Sequence, residues 1–545
     1  MIAARRPSLL RLAGALLLLH LLFAFRLPWE GGAQWLEWVK PSLDLALFVG
    51  LGTTAALVVG PRRILAHILV GALFFTVVWH VAASVVPTFY GKEFEPYNDV
   101  LLVPGLFHLL THQLSIWLTV LLCAIALAVL AVLHLGLVRC VGIVLMGARS
   151  TPTAITLLAG CQALVVVSWL EASWRAPERK SRIFHASVAA DVCGHAAVLL
   201  KSGSWRSETT FADRAAFAKS ELAQVGRDLG RLRDVDVFLL FIESYGRGIL
   251  KSSAKELFTE RMRAHAERLA KRGFEVATGS TFPSIRGGMS SLAHAELMTG
   301  VAVENRRIFD LVLQSDLLPL ARIFADAGHA TVSVQPAMPR DWPEGKFFGF
   351  QRDVFRTALP YSGRIYPWGD MPDQFPLAHV LETIVRPSQK PLFLMFVSVT
   401  SHAPFSAVPP YFEDWTKVTA PSAYAGEPAK SYPITWTNYA GHPQLMEAYM
   451  ETIEYSLRTA FGFAEQLPRR CLVIVLGDHQ PPLAGEYSSA DASRDVPIHV
   501  LSKDKALLVP FLEHGFGPGL LPESGTTAFP SERFLVRFLS WFSAR

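Results

Sequence analysis

The feature that most constrains this 545-residue chain is the uneven spread of its apolar residues. Hydrophobic side chains make up 51% of the whole and concentrate in residues 1–172. A membrane-spanning helix needs about 20 mostly apolar residues, at about 1.5 Å of rise each, to cross a hydrocarbon core of about 30 Å. Five stretches read that way: about 8–26, 42–60, 64–86, 113–135 and 152–171. The first follows Arg5 and Arg6 and lacks a small-x-small cleavage site before "FRLPWE", so it reads as a retained anchor and not as a signal peptide.

The arginines set the expected orientation. Arg5-Arg6, Arg62-Arg63, and Arg139 with Arg149 recur at alternate ends of the apolar stretches, while the loops "RLPWEGGAQWLEWVK" and "YGKEFEPYNDV" carry acids and aromatics. The positive-inside rule then puts the N-terminus in the cytoplasm, and five spans leave everything after residue 172 outside. Trp29, Trp35 and Trp38 would sit at the outer interface, as would "LLVPGLFHLLTHQ" (101–113), which is too short to span. The expected location is the inner or plasma membrane, multi-pass, with an extracytoplasmic (periplasmic) C-terminal part. The helices serve either as a plain anchor or to present a lipid substrate.

A net charge of +5 fits this topology, and no Lys/Arg run with interleaved aromatics suggests nucleic acid as a partner. The five cysteines show neither zinc-ribbon spacing nor a disulfide framework. Cys471 opens an apolar run and reads as a buried free thiol, with a bridge to Cys193 as the alternative.

Residues 173–235 read as a helical connector, with Phe217, Leu222, Val225, Leu229 and Leu232 near one helical face. Such a helix packs on the soluble domain or lies on the bilayer surface. From 236 to 545 the pattern changes to strands alternating with helices. "DVFLLFIES" (236–244), "PLFLMFVSVTSH" (391–402) and "CLVIVLGDH" (471–479) are continuous apolar runs, as strands buried on both faces require. "ELFTERMRAHAERLAKRG" (256–273) and "MEAYMETIEYSLRTAFGFAEQL" (446–467) are helices between them. The expected architecture is an N-terminal α-helical membrane part of five spans, followed by an α/β extracytoplasmic domain with a largely parallel sheet.

In such sheets ligands collect at the carboxyl ends of strands. The 236 strand ends in Glu243, the 391 strand in His402 and the 471 strand in Asp478-His479. One polar strand end is ordinary. Three at one sheet edge suggest a metal site, because Asp, Glu and His are the oxygen and nitrogen donors that zinc or manganese takes. Gly477 allows the turn that would let adjacent residues both ligate, and Pro481-Pro482 ends the strand.

In "SIRGGMSSLAHAELMTG" (284–300), glycines precede a serine pair and a helix-compatible segment. Ser290 there sits at a helix N-terminus, where free backbone N–H groups favour anions, and reads as a nucleophile; a plain N-cap is the alternative, and the two roles are compatible. A hydroxyl bound to a dication loses its proton more readily. His294, four residues on, shares its helical face and reads either as a phosphate contact or as local packing.

This segment resembles the alkaline phosphatase superfamily, whose sulfatase signature is C-x-P-S-R-x-x-L-x-T-G. The nucleophile position falls on Ser290, and the tail on Leu297, Thr299 and Gly300. The Pro and Arg positions are Leu292 and His294, which implies that Ser290 stays a serine and that formylglycine-type chemistry does not apply. Five spans followed by such a domain are similar to membrane enzymes of the lipoteichoic acid synthase and phosphoglycerol transferase type. That resemblance implies one divalent metal, manganese or zinc with magnesium as a third candidate, held by Glu243, Ser290, Asp478 and His479. It implies substrate contacts at His402, in "TSHAPF", and at Arg340 and Trp342, in "MPRDWPEGKFFGF" (338–350). The implied activity is transfer of a phospholipid head group, phosphoglycerol or a related phosphoalcohol, to an envelope glycan, a lipid or water through a phospho-Ser290 intermediate. An extracytoplasmic phosphodiesterase or sulfatase-like hydrolase is the alternative. A phosphoethanolamine transferase is disfavoured by "GDHQ" standing where that type shows S-D-H-G, and by the few cysteines.

Overall fold

The computed structural model describes residues 7–23, 40–61, 63–90, 116–173 and 204–544, apart from 339–341, 343–344, 367–370, 436–437, 440, 484–492 and 522–527. The expectations for Trp29, Trp35, Trp38, residues 101–113, Cys193 and Arg340 lie outside the described residues. The chain divides into two compact units, with the main break between Gly203 and Ser204.

In the first unit, helices Leu9–Phe23, Leu43–Val59, Arg63–Tyr90, Ile116–Gly147 and Thr151–Ser173 fall on the five apolar stretches. Among the described residues, two segments are long and apolar enough to cross a membrane, Trp117–Gly147 and Thr151–Ser168, rather than five. Leu9–Leu22, Leu43–Val59 and Arg63–Trp79 are shorter apolar helices. Leu43–Val59, with 17 residues, rises only about 25 Å, short of a hydrocarbon core of about 30 Å. Leu12, Leu19, Val49, Val70, Leu73, Val141 and Leu145 pack together at the centre of this unit. Leu17, Leu51, Ile68, Val78 and Leu133 face outward, so apolar side chains lie on both the inside and the outside.

The second unit begins with the helix Ser204–Leu222, which stops well short of the helical face expected to run on to Leu232. Its inward side is Ala215, Ala218 and Leu222, and Phe217 is exposed. The chain then crosses the C-terminus so closely that a Cβ at Gly226 would lie 2.1 Å from the Ala544 carbonyl oxygen. Leu229 is left-handed (φ 47°) and leads into a short 3-10 turn, Gly230–Leu232.

The sheet of this unit contains β1 (Asp236–Ile242), β2 (Glu275–Phe282), β3 (Ala330–Gln335), β4 (Arg352–Phe355), β5 (Leu392–Val397), β8 (Cys471–Gly477) and β9 (Val496–Ser502). Two short strands, β6 (Ala407–Val408) and β7 (Lys430–Ser431), pair separately. The central order is β2-β9-β8-β1-β5-β3-β4. From β8 to β4 every pairing is parallel, while β9 runs antiparallel to both β8 and β2. The largely parallel sheet expected from the three apolar runs is therefore present, extended by an antiparallel wing.

Period-two alternation divides those runs between two cores. Phe238, Leu240 and Ile242 of β1, with Val473 and Val475 of β8, join one core, which includes much of the long helix Leu445–Gln466. Val237, Leu239 and Phe241, with Leu472, Ile474 and Leu476, join the other, which holds the helix Ser290–Thr299. Both faces are covered, so the strands carry no polar alternation. Cys471 is a buried free thiol, as its position in an apolar run suggested.

Gly477 is required for a reason other than a turn. A Cβ there would lie 1.8 Å from the Tyr245 carbonyl oxygen, because the chain after β1 crosses directly over the end of β8. Gly477→Ala is expected to cost roughly 3 kcal/mol, the range of a forced overpacking, and to push the two strand ends apart. Urea unfolding of the purified chain measures the first effect, and loss of turnover out of proportion to the stability change measures the second.

Candidate active site

The register of β1 on β8 builds the site. Ile242 pairs with Gly477, so the next residues of the two strands, Glu243 and Asp478, leave the sheet side by side. The alternation that sends Phe241 and Leu476 toward the Ser290–Thr299 helix carries these two carboxylates the same way. Glu243, Asp478 and His479 are all buried, with ligand atoms within 4.8 Å of one another.

Each is held by its own partners. Glu243 donates its N–H to Ser398 Oγ (2.8 Å), and its carbonyl oxygen accepts from Ser401 Oγ (2.6 Å). Its Oε1 accepts from Ser244 Oγ (2.8 Å) and its Oε2 from Ser290 Oγ (3.0 Å). Asp478 Oδ1 accepts from the Ser244 and His479 backbone N–H groups at 2.8 and 2.7 Å. His479 Nδ1 lies 2.9 Å from the Gln480 carbonyl oxygen, which turns Nε2 toward Ser290 Oγ, 3.1 Å away. A second partner that fixes one ring nitrogen while the other faces the site is the usual arrangement for a ligating histidine.

Ser290 is not an N-cap. It is the first residue of its helix, the cap position is Met289 with no side-chain bond, and the serine hydroxyl is spent on Glu243 and His479. Two left-handed residues, Gly288 (φ 65°) and Met289 (φ 54°), turn the chain into this helix. Ser244, beside Glu243, is also left-handed (φ 58°). Non-glycine residues in that region cost of order 1 kcal/mol or more and persist only where their surroundings enforce them. Both the hydroxyl and the first carboxylate of the cluster have such a neighbour.

The electrostatics are those of crowded like charges. Burial pushes the Asp478 carboxyl up to about 7, and the Glu243 charge beside it adds to the rise. Burial acts on Glu243 too, but the imidazoles of His479 and His402 and the hydroxyls of Ser244 and Ser290 outweigh it, and Glu243 lies below the usual carboxylate range. Burial disfavours a charged His479, yet Asp478 and Glu243 override it and raise its proton affinity. Asp478 Oδ2 and His294 Nε2 are buried without a hydrogen-bond partner, 3.9 Å apart. Two carboxylates, one imidazole and an orphaned carboxylate oxygen fit a divalent cation, which neutralises the carboxylates and uses the remaining lone pairs.

The other expected residues fall around this cluster. His294 is buried against the Phe241 ring at 4.2 Å, and burial pushes it down to about 3, so it is neutral. Trp342 stacks on Phe348 at 5.4 Å. Trp342 and His294 line one cavity of about 200 Å³. His402 does not end a strand. β5 stops at Val397, and His402 follows a loop, exposed but close enough for its charge to act on Glu243.

That loop depends on Asp373, which the sequence reading missed. Ser398 N–H still bonds the Phe241 carbonyl oxygen (2.9 Å). Asp373 Oδ1 then takes the Val399 N–H (2.7 Å), and Asp373 Oδ2 takes the Thr400 N–H (3.2 Å) and Ser456 Oγ (3.0 Å), drawing the chain off the ladder. Asp373 stands at the start of a helix, where it reads as a cap, and its partners in the loop are 26 and 27 residues away. Asp373→Ala strands several buried donors and is expected to cost about 2 kcal/mol, net of the relief from removing a carboxyl that burial pushes up to about 6. Thermal unfolding reads the stability, and a matching fall in turnover reads the displaced His402.

With this geometry in place, the likenesses to known proteins are informative. A family model described as Sulfatase matches residues 236–545, more than half of the chain. The chain belongs to the sulfatase family and is an enzyme. Among solved structures, the Neisseria meningitidis lipooligosaccharide phosphoethanolamine transferase EptA shares 14% identity, with a TM-score of 0.49 over 97% of this chain and 95% of that one. The Listeria monocytogenes lipoteichoic acid synthase LtaP shares 12% identity (TM-score 0.38, 57% and 73% covered). The Streptococcus pyogenes phosphoglycerol transferase GacH, solved with sn-glycerol-1-phosphate, shares 12% (TM-score 0.37, 62% and 82% covered). No curated protein matches the chain.

Proposed function

We propose that this chain transfers a phospholipid head group, phosphoglycerol or a related phosphoalcohol, to an extracytoplasmic acceptor through a phospho-Ser290 intermediate. The observation that carries the reading is the Ser290 hydroxyl, 3.0 Å from Glu243 and 3.1 Å from His479 at the mouth of a buried carboxylate pair. A serine so placed is a nucleophile in waiting, since its hydroxyl does no capping work. Glu243, Asp478, His479 and Ser290 would hold the dication, manganese or zinc, which when bound lowers the proton affinity of the hydroxyl and offsets phosphoryl charge.

In the first step Ser290 Oγ forms a bond to phosphorus, and the bond from phosphorus to the diacylglycerol oxygen breaks. The proton that Ser290 Oγ gives up passes to the departing alkoxide, and diacylglycerol leaves. In the second, the oxygen of an acceptor alcohol or water bonds to phosphorus, the bond from Ser290 Oγ to phosphorus breaks, and the acceptor's proton passes to Ser290 Oγ. His402, with Arg340, balances charge on the phosphoryl oxygens, and neutral His294 offers or accepts a hydrogen bond on the opposite side. We place the enzyme in the membrane with five passes, the shorter apolar helices completing the bundle, and with residues 236–545 outside as the catalytic domain.

The test is the mass of the Ser290 peptide after the full chain, loaded with manganese or zinc, meets phosphatidylglycerol vesicles. An adduct of phosphoglycerol on Ser290 is expected. Diacylglycerol release without any adduct, and undiminished in Ser290→Ala, would sink the reading.

A further inference from the structure

The helix that carries Ser290 holds a second ionisable group that the proposed chemistry does not use. Glu296 lies toward the far end of Ser290–Thr299 and is fully buried. Its carboxylate bonds the chain on both sides of the helix. The Ser284 N–H, ahead of Ser290, donates to Oε1 and Oε2, both at 3.1 Å. The Val303 N–H, beyond the helix, donates to Oε2 at 3.0 Å. One side chain thus closes the segment 284–303 on itself, with Ser290 inside the closed stretch.

A charge is costly at this position. Burial pushes the Glu296 carboxyl up to about 7 and the Glu532 charge adds to the rise, while the bonds from Val303 and Ser284 oppose it. A neutral amide is easier to bury, but it has one acceptor oxygen, and its NH₂ would meet a backbone N–H. A carboxylate offers acceptor oxygens to donors from both segments at once.

The clasp acts on the approach to Ser290. Arg494 donates to the Ser284 carbonyl oxygen (2.8 Å), so both backbone groups of Ser284 are bonded. The Arg286 carbonyl oxygen accepts from the Gln480 N–H (3.1 Å), which ties the loop to the residue after His479. Gly288 and Met289, both left-handed, then turn the chain into the helix. With the loop fixed at Ser284 and Arg286, the tilt of the helix decides where the Ser290 hydroxyl points. Glu296 sets that tilt from the other end.

We propose that Glu296 is a positioning residue: by holding the Ser284 and Val303 N–H groups it keeps the Ser290 hydroxyl against Glu243 and His479, and so sets both the metal affinity of the site and the rate of attack. This rests on the reading of Ser290 as metal ligand and nucleophile. Loss of a residue that orients a ligand typically lowers metal affinity or activity by about tenfold to a hundredfold.

The test measures the manganese dissociation constant of the full chain at about pH 8, above the titration of Glu296. Glu296→Gln should bind manganese about tenfold or more weakly than wild type. Ser290→Ala should also bind it more weakly, and adding Glu296→Gln to Ser290→Ala should weaken it no further, because the clasp acts through the hydroxyl. With saturating manganese and phosphatidylglycerol vesicles, kcat of Glu296→Gln should fall by about tenfold or more with KM little changed. A folded Glu296→Gln with the wild-type dissociation constant overturns the proposal. So does a Glu296→Gln that weakens binding by the same factor with and without the Ser290 hydroxyl, since it then acts on the carboxylate pair. If Glu296→Gln does not fold, Glu296→Asp, which keeps the charge and shortens the reach, is held to the same outcomes. Failure of both to fold assigns the carboxylate to the fold and overturns the proposal. The manganese series needs no lipid, so diacylglycerol release that survives Ser290→Ala is the separate result that defeats the transfer reading.

Discussion

Ser290→Ala is expected to lower turnover about a thousandfold or more while leaving the fold intact. The magnitude follows from the role, since deleting a nucleophile removes the bond-forming step and leaves only the surrounding binding groups. The intact fold follows from the geometry. The hydroxyl makes no capping bond, so the loss of about 1 kcal/mol that accompanies deletion of a true N-cap is not expected. Ser290→Thr separates hydroxyl chemistry from local packing, because it keeps the oxygen and adds a methyl group beside Glu243 and His479. Measurable turnover in Ser290→Thr beside none in Ser290→Ala places the chemistry on the oxygen. Near wild-type turnover in a well-folded Ser290→Ala would remove Ser290 from the mechanism.

How far this site was legible in the sequence depends on whether its determinants are local. "VFLLFI" and "LVIVLG" announced themselves as strands covered on both faces, and the polar residues following them were read as a shared sheet edge. The β1–β8 register then brings Glu243 and Asp478 together, and adjacent parallel strands ending alike suffice for that. What stayed hidden depends on contacts between distant segments. Polar strands β2 ("EVATGSTF") and β9 ("VPIHVLS") lack a strong apolar run, yet both are largely buried, and Thr278 and Tyr245 bond the His499 ring from either side. The end of β5 at Val397 is set by Asp373, which no pattern around "VSVTSH" could reveal. The connector helix ends at Leu222, and the C-terminus crosses the following chain at Gly226, a contact that periodicity within residues 211–232 cannot report. The serine was legible as a hydroxyl at a helix N-terminus, whereas the left-handed Met289 that takes the cap position and leaves that hydroxyl to Glu243 and His479 was not.

The second large effect concerns the carboxylate pair. Removing the cation with a chelator is expected to abolish turnover, and manganese or zinc restored in excess should recover it. Asp478→Asn should make that loss permanent and at the same time reverse the usual cost of a buried substitution. In the metal-free protein, burial and then the Glu243 charge beside it push the Asp478 carboxyl up to about 7. The folded group titrates near 7 and the unfolded one near 3.8, so ionising it costs the metal-free fold stability as pH rises between those values. Asparagine removes that repulsion, keeps the Oδ1 that accepts from Ser244 and His479, and brings an N–H₂ toward the unpartnered His294 Nε2. Metal-free Asp478→Asn should therefore melt no lower than metal-free wild type. Only wild type should gain from added metal, by about 2.7 kcal/mol at a hundredfold excess over its dissociation constant. Paired melting curves with and without metal, alongside elemental analysis, separate the outcomes. A variant that still binds stoichiometric metal and still melts higher with it would show that Asp478 is not a ligand, and that the crowded carboxylates serve the fold and not the chemistry.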